Sequence, residues 1–240
     1  MKKIYSVLFA LLVSLTSHVF ASDEQIQDYV LYPYQPGFSL QEDFYGGGTT
    51  SGTIGNFGFG TSNGTTSVLA TVSTNYIGIV RRDTSAVSGT LTVTQLYPHS
   101  SALFASNLPH RVLWVVRLNN NDANTQVRIG AANSTTGNPP GTGIYFEKLD
   151  ADTNWFCVTE SGTRTRTDSG IAVNTSFTTF EYKRLSASVE FYLNGARVCT
   201  NTADLPTALY NPMTQIINSA AAAKTLDHDY LEVHVSGLTR

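Results

Sequence analysis

The chain has 240 residues, 15 basic and 18 acidic, and only 14% charged side chains. A formal charge of −3 without a dense Lys/Arg cluster excludes a nucleic-acid binder, which neutralises phosphates with clustered cations. Two cysteines, with no His or Cys at ligand spacing beside either, exclude a zinc site built on cysteine alone.

At the N-terminus, Lys2 and Lys3 precede an apolar run from Ile4 to Val13, and Val19 and Ala21 set a small-residue cleavage site before Ser22. A basic start, a short apolar middle and small residues at the cut describe a secretory signal peptide over 1–21. The run is too short for the roughly 20 apolar residues of a membrane-spanning helix. Cleavage would leave 219 residues with 13 basic and 18 acidic groups, exported to the periplasm or outside the cell. Residues 22–38 read as a lead-in broken by Pro33 and Pro36, a globular β domain fills 39–236, and 237–240 form a tail.

Within 39–236, "EDFYGGGTTSGTIGNFGF" reads as a first strand, a glycine turn and a short β segment that buries its aromatics. Short strands then follow one another: "SVLATVS", "IGIVRR", "GTLTVTQLY", "RVLWVVRL", "TQVRIGAA", "GIYFEKL", "NWFCVTES", "TRTRTDSG", "FTTFEYKRL", "SVEFYLNG", "ARVCTNT", "MTQIINS" and "LDHDYLEVHVSG". Most are bounded by Gly, Pro, Asn, Asp or Ser, which specify turns. Only "NSAAAAK" favours helix locally, and it is too short to hold one. Many short strands with regular turns predict an all-β fold of two antiparallel sheets, a jelly-roll sandwich.

The Asn194-Gly195 pair predicts a two-residue hairpin turn, since both residues tolerate positive φ. Simple alternation then sets Val189, Phe191, Leu193, Ala196 and Val198 on the core face, and Glu190, Tyr192, Arg197 and Cys199 on the other. The same parity, with Phe156 and Val158 inward, sends Cys157 and Cys199 off the same kind of face. That permits a bridge between adjacent strands, which an oxidising compartment favours over two unpaired thiols. Neither cysteine has a basic neighbour in sequence to activate it as a nucleophile.

The series "EDFYGGG", "GIYFEKLDADTNWFCVTESGTRTRTDSGIAV", "VEFYLNGARVCT" and "KTLDHDYLEVHV" resembles concanavalin A-like, laminin-G-like jelly-roll domains, and more narrowly a group common in bacteriophage and environmental sequences. The resemblance spans nearly all of the exported chain and implies two packed antiparallel sheets. It implies little about activity, because this fold hosts lectins, hydrolases, lyases and structural modules alike.

Glycoside hydrolysis needs two carboxyls about 5–9.5 Å apart, and no E-x-D-x-E or E-x-E strand supplies them. In "LDHDYLEV", alternation puts His228, Tyr230, Glu232 and His234 on one side and Asp227, Asp229 and Leu231 on the other. A Tyr230–His228 pair could serve a polysaccharide lyase. The lyases of this fold, however, carry Arg-x-Glu-x-Arg and Gln-Ile-His strands, and "TQIINS" lacks that histidine. No cofactor is required; a calcium site at Asp227 and Asp229 is the alternative. Non-catalytic binding asks only for exposed aromatics and amides, and Tyr145, Glu147, Trp155, Tyr192, Arg117 and Tyr230 are the candidates by parity. Trp114 is assigned to the core, and the polar loop 131–143 could rim a site. The expectation is a secreted module that binds a glycan or surface polymer. A structural module of an extracellular or phage-like assembly, and a lyase or hydrolase, are the alternatives.

Overall fold

Among the described residues of the computed structural model every paired strand is antiparallel, as the turn-punctuated sequence requires. The structure describes residues 37–42, 44, 53–54, 59–62, 65–69, 79–96, 108–133, 137–208 and 211–236. The proposed signal peptide and nearly all of the lead-in lie outside these residues.

The first sheet runs, in spatial order, β14 (Ala196–Asn201), β13 (Val189–Leu193), β12 (Thr178–Arg184), β7 (His110–Leu118), β16 (Thr225–Val235), β5 (Val80–Asp83) and β4 (Thr65–Leu69). The opening strand β1 (Phe38–Glu42) also pairs with β16, so the first and last strands of the domain lie side by side. The second sheet runs β11 (Thr163–Ala172), β10 (Asn154–Ser161), β9 (Thr142–Lys148), β8 (Thr125–Ala132), β15 (Asn211–Asn218), β6 (Leu91–Leu96), β3 (Phe59–Ser62) and β2 (Thr53–Ile54). The segment "SAAAAK" forms bends rather than helix, consistent with its length.

The core lies between the two inner faces. On β7, buried and half-buried residues alternate without a break, so Val112, Trp114 and Val116 point inward and Arg111, Leu113, Val115 and Arg117 outward. Trp114 is fully buried, and its indole N–H donates to the Gly130 carbonyl of β8 across the sandwich at 2.9 Å. Buried indole N–H groups need such a partner. Trp155, Phe146 and Phe191 meet Phe180 or one another edge-on, with ring centroids 4.8–5.3 Å apart. Truncating one such ring typically costs about 3–5 kcal/mol.

The Asn194-Gly195 turn forms as expected, with φ of 49° and 79°. Strict alternation fails one step further on. Leu193 pairs Ala196 and Tyr192 pairs Arg197, but a bulge then opposes Phe191 to Cys199 rather than to Val198. Cys199 therefore turns inward, Val198 is half-buried and Ala196 is exposed. On β10 the parity is the reverse of expectation: Trp155 and Cys157 face the core, and Phe156 and Val158 face outward. The two cysteines do share a kind of face, the inner one, and they form a disulfide with Cα atoms 6.4 Å apart. It links β10 of the second sheet to β14 of the first, joining the layers rather than adjacent strands of one sheet.

Candidate functional site

Register alone assembles a polar row on the outer face of the second sheet. Gln215, Arg128 and Glu147 lie directly opposite one another on β15, β8 and β9. Arg128 donates to Glu147 at 2.9 Å and also to Gln215. The alternation "TRTRT" on β11 puts Arg164 and Arg166 on the same side, and both reach the other oxygen of Glu147. Arg166 also pairs with Asp152 and lies 3.4 Å from the centre of the Phe156 ring. Next to this row, Tyr145 donates to Glu160 at 2.5 Å. Burial, and then Glu160, push the Tyr145 phenol above its ordinary range, so it keeps its proton. Its ring lies over Gly143, where an added Cβ would come within 3.1 Å of it and closer still to Ala131 and Ala132.

The middle of this face is closed, while Arg164 and Arg166 at its β11 edge keep 23% of their side-chain surface exposed. Tyr145 and Glu147 have no exposed surface and Arg128 has 2%. Gly137 contributes to the cover, since Gln215 donates to its carbonyl at 2.9 Å. Tyr145 and Glu147, expected as ligand contacts, are therefore interior residues of a polar network. Trp155, also expected on the surface, is in the apolar core because the parity of β10 is reversed.

The remaining candidates lie on the outer face of the first sheet and do not converge. Tyr192 on β13 donates to Glu190 at 2.7 Å, with the Lys183 ammonium 4.4 Å from its ring centre. Arg117 on β7 covers the Phe177 ring at 4.7 Å and pairs with Asp227. Tyr230 is half-buried beside Val115. Between them Arg111 bridges Glu181 and Glu232 at 2.7 and 2.8 Å.

The Tyr230–His228 pair is taken apart by a bulge. On β16, His228 opposes Val116 but Tyr230 opposes Val115, so Asp229 is an extra residue. His228 then faces the core while Tyr230, Glu232 and His234 face outward, and no substrate proton reaches both. His228 is fully buried against Trp114 and Phe44. Its Nδ1 faces the Val80 carbonyl, which can only accept, so Nδ1 carries the proton and the Thr214 hydroxyl donates to Nε2 at 2.6 Å. Asp227 does not suit calcium either: Arg81 binds both of its oxygens at 2.7 and 3.0 Å and Arg117 adds two further bonds. Burial works to raise the Asp227 pKa, but those bonds outweigh it and hold the carboxyl below its usual range.

Burial, and then the charge of Arg82, push the His228 pKa down to about 3. Above about pH 6.5 the ring is neutral folded or unfolded and contributes nothing. Below that, the unfolded chain takes a proton that the folded chain refuses until about pH 3, so stability falls across this window. At pH 4 the penalty is about 3 kcal/mol. Urea unfolding of the wild type and His228→Leu at pH 7 and pH 4 should show the variant losing about 3 kcal/mol less between the two. An equal loss would mean that His228 protonates inside the fold.

One cleft opens at the end of the sandwich, where the β7–β8 connection (119–124) meets the β9–β10 connection (149–153). Its volume is 340 Å³, and Asn121, Asp122, Asp150, Asp152 and Thr153 supply its polar wall. Asp150 accepts from Gln126 and Ser219, Asp152 from the Leu149 N–H at 2.7 Å, and Asp122 from Thr125 and Lys224. Beneath these loops the Lys148 ammonium is buried among backbone carbonyls. None of these residues was singled out from sequence. The available signal was that "NNNDAN" and "DADTN" end neighbouring strands at the same end of the sheet.

No protein-family model and no curated protein matches the chain. Solved structures do. A Shewanella oneidensis MR-1 protein of unknown function superposes with a TM-score of 0.64 at 12% identity, covering 85% of this chain and 90% of that one. The Emp47p carbohydrate recognition domain gives 0.55 at 9% identity over 84% and 96%, and a β-1,3-glucanase from Mycobacterium marinum 0.55 at 10% over 81% and 97%. The fold is thus the two-sheet antiparallel jelly roll that these solved structures share. Among the described residues no helix is long and apolar enough to cross a membrane, and no group of three or more His, Cys, Asp or Glu is placed to hold a metal.

Proposed function

We propose that the chain is a secreted module that binds a glycan without cleaving it, and that the glycan seats in the cleft between residues 119–124 and 149–153. The cleft itself carries this reading. Its volume lies within the range of about 300–1,000 Å³ usual for small-molecule sites, and its wall offers an amide, a hydroxyl and three carboxylates to sugar hydroxyls. Similarity in fold to a carbohydrate recognition domain supports the same class of ligand. The leader-like N-terminus and the disulfide support export.

Hydrolysis is poorly served by the carboxylates of the second sheet. Glu160 lies opposite Gly143, four residues along β9 from Glu147. At about 3.4 Å per residue that is roughly 13–14 Å, beyond the 9.5 Å that an inverting pair allows. Both carboxylates also hold internal partners.

A glycan array covering neutral and acidic polysaccharides should register binding by the wild type. Ala151→Trp, at an exposed position in the cleft wall, should abolish it by filling the space, while Tyr192→Ala on the first sheet should leave it unchanged. A silent wild type overturns glycan binding; binding that survives Ala151→Trp overturns the cleft as its seat.

A further inference from the structure

Lys148 is the last residue of β9, and its alternation puts the side chain on the inner side of the second sheet, opposite Val127. An ammonium there would be costly without partners, since burial of a charge is tolerated only when it is fully hydrogen-bonded. The fold supplies them from two directions. The β7–β8 side offers the carbonyls of Asp122 at 2.9 Å and Thr125 at 2.8 Å; the β9–β10 side offers Leu149 at 3.2 Å and Asp150 at 3.4 Å. Lys148 retains only 1% of its surface. Asp122, Asp150 and Asp152 surround the cage without bonding the ammonium through their side chains, and they add favourable charge.

Four converging carbonyl oxygens with carboxylates behind them are the donor set that hard cations choose; calcium takes six to eight oxygens, carbonyls included. Two loops that share one cation are also thereby fixed relative to each other. We infer that the Lys148 ammonium is a tethered substitute for a calcium ion, filling an oxygen cage that would otherwise bind one, and that it makes the 119–124 and 149–153 loops independent of metal. The unit charge suits this. A lysine brings one positive charge where calcium brings two, and the surplus negative charge is met by Lys224 on Asp122 and Arg166 on Asp152. This inference is independent of whether the cleft receives a glycan.

The test uses thermal unfolding and titration calorimetry with calcium chloride and no sugar. The wild type should melt at one temperature in chelator and in millimolar calcium, and should show no calcium heat. Lys148→Ala empties the cage; in chelator it should melt roughly 5–10 °C lower, and calcium should restore most of that loss with a measurable binding heat. Lys148→Met, which removes the charge but keeps the cage filled, should be destabilised without calcium rescue. If Lys148→Ala does not fold in chelator, refolding it with calcium should recover folded protein where refolding without calcium does not. A wild type that gains stability from calcium overturns the inference. So does a Lys148→Ala variant that melts like the wild type in chelator, or one that calcium cannot rescue in either format.

Discussion

Glu147→Ala should destabilise the protein by about 3–5 kcal/mol, measured by chemical unfolding at neutral pH. The size follows from what the carboxylate leaves behind. Arg128, at 2% exposure, would keep the neutral amide of Gln215 but lose its carboxylate, and Arg164 and Arg166 would lose a shared anchor. Breaking a buried pair from one side strands an ion in a medium that cannot solvate it. Removing both partners is a different matter. Arg128→Met combined with Glu147→Leu should recover much of the loss, because buried ion pairs are often replaceable by apolar residues of similar volume. A double-mutant cycle therefore gives a strong coupling, and independent, additive losses would show that the two side chains are not joined in solution.

Replacing Cys157 and Cys199 together by alanine should cost about 4 kcal/mol of unfolding free energy in the chain-entropy treatment of a crosslink that closes a 42-residue separation. Its placement is the second reason to expect a large effect. Sheet hydrogen bonds hold strands within a layer, whereas the two layers are held mainly by side-chain packing. The disulfide is a covalent tie between layers, next to the contact of Thr167 on β11 with Asn201 on β14 at 2.8 Å. Urea unfolding of the double variant should show a lower midpoint and a somewhat steeper slope, because the denatured chain without its crosslink exposes more surface. Mass spectrometry of protein purified without reductant should show both cysteines oxidised; two free thiols in the wild type would remove the basis of the prediction.

The sandwich was legible in the sequence because period-two patterning and turn residues are local signals. Trp114 in "VLWVVRL" and the Asn194-Gly195 turn needed nothing beyond their neighbours in the chain. The errors have equally local causes. Bulges at Asp229 and Val198 each shift parity by one, which moved His228 inward and turned Cys199 toward the core. Nothing in "LDHDYLEV" announces an extra residue. Tyr145 and Glu147 were misread for another reason: parity assigns a face but not whether that face meets solvent. Their partners sit on other strands of the sheet, 15 to 19 residues away, beyond the reach of any local pattern. The cage around Lys148 was invisible because it is made of carbonyls, which every residue owns.

The closed middle of the second sheet's outer face gives this protein two interiors of opposite character, one oily and one ionic. Both grow weaker toward low temperature. Hydrophobic cohesion fades on cooling, while the dehydration cost of ions shrinks on warming. The ionic half therefore goes on gaining where hydrophobic cohesion levels off, so the division favours endurance of heat and gives no added protection against cold.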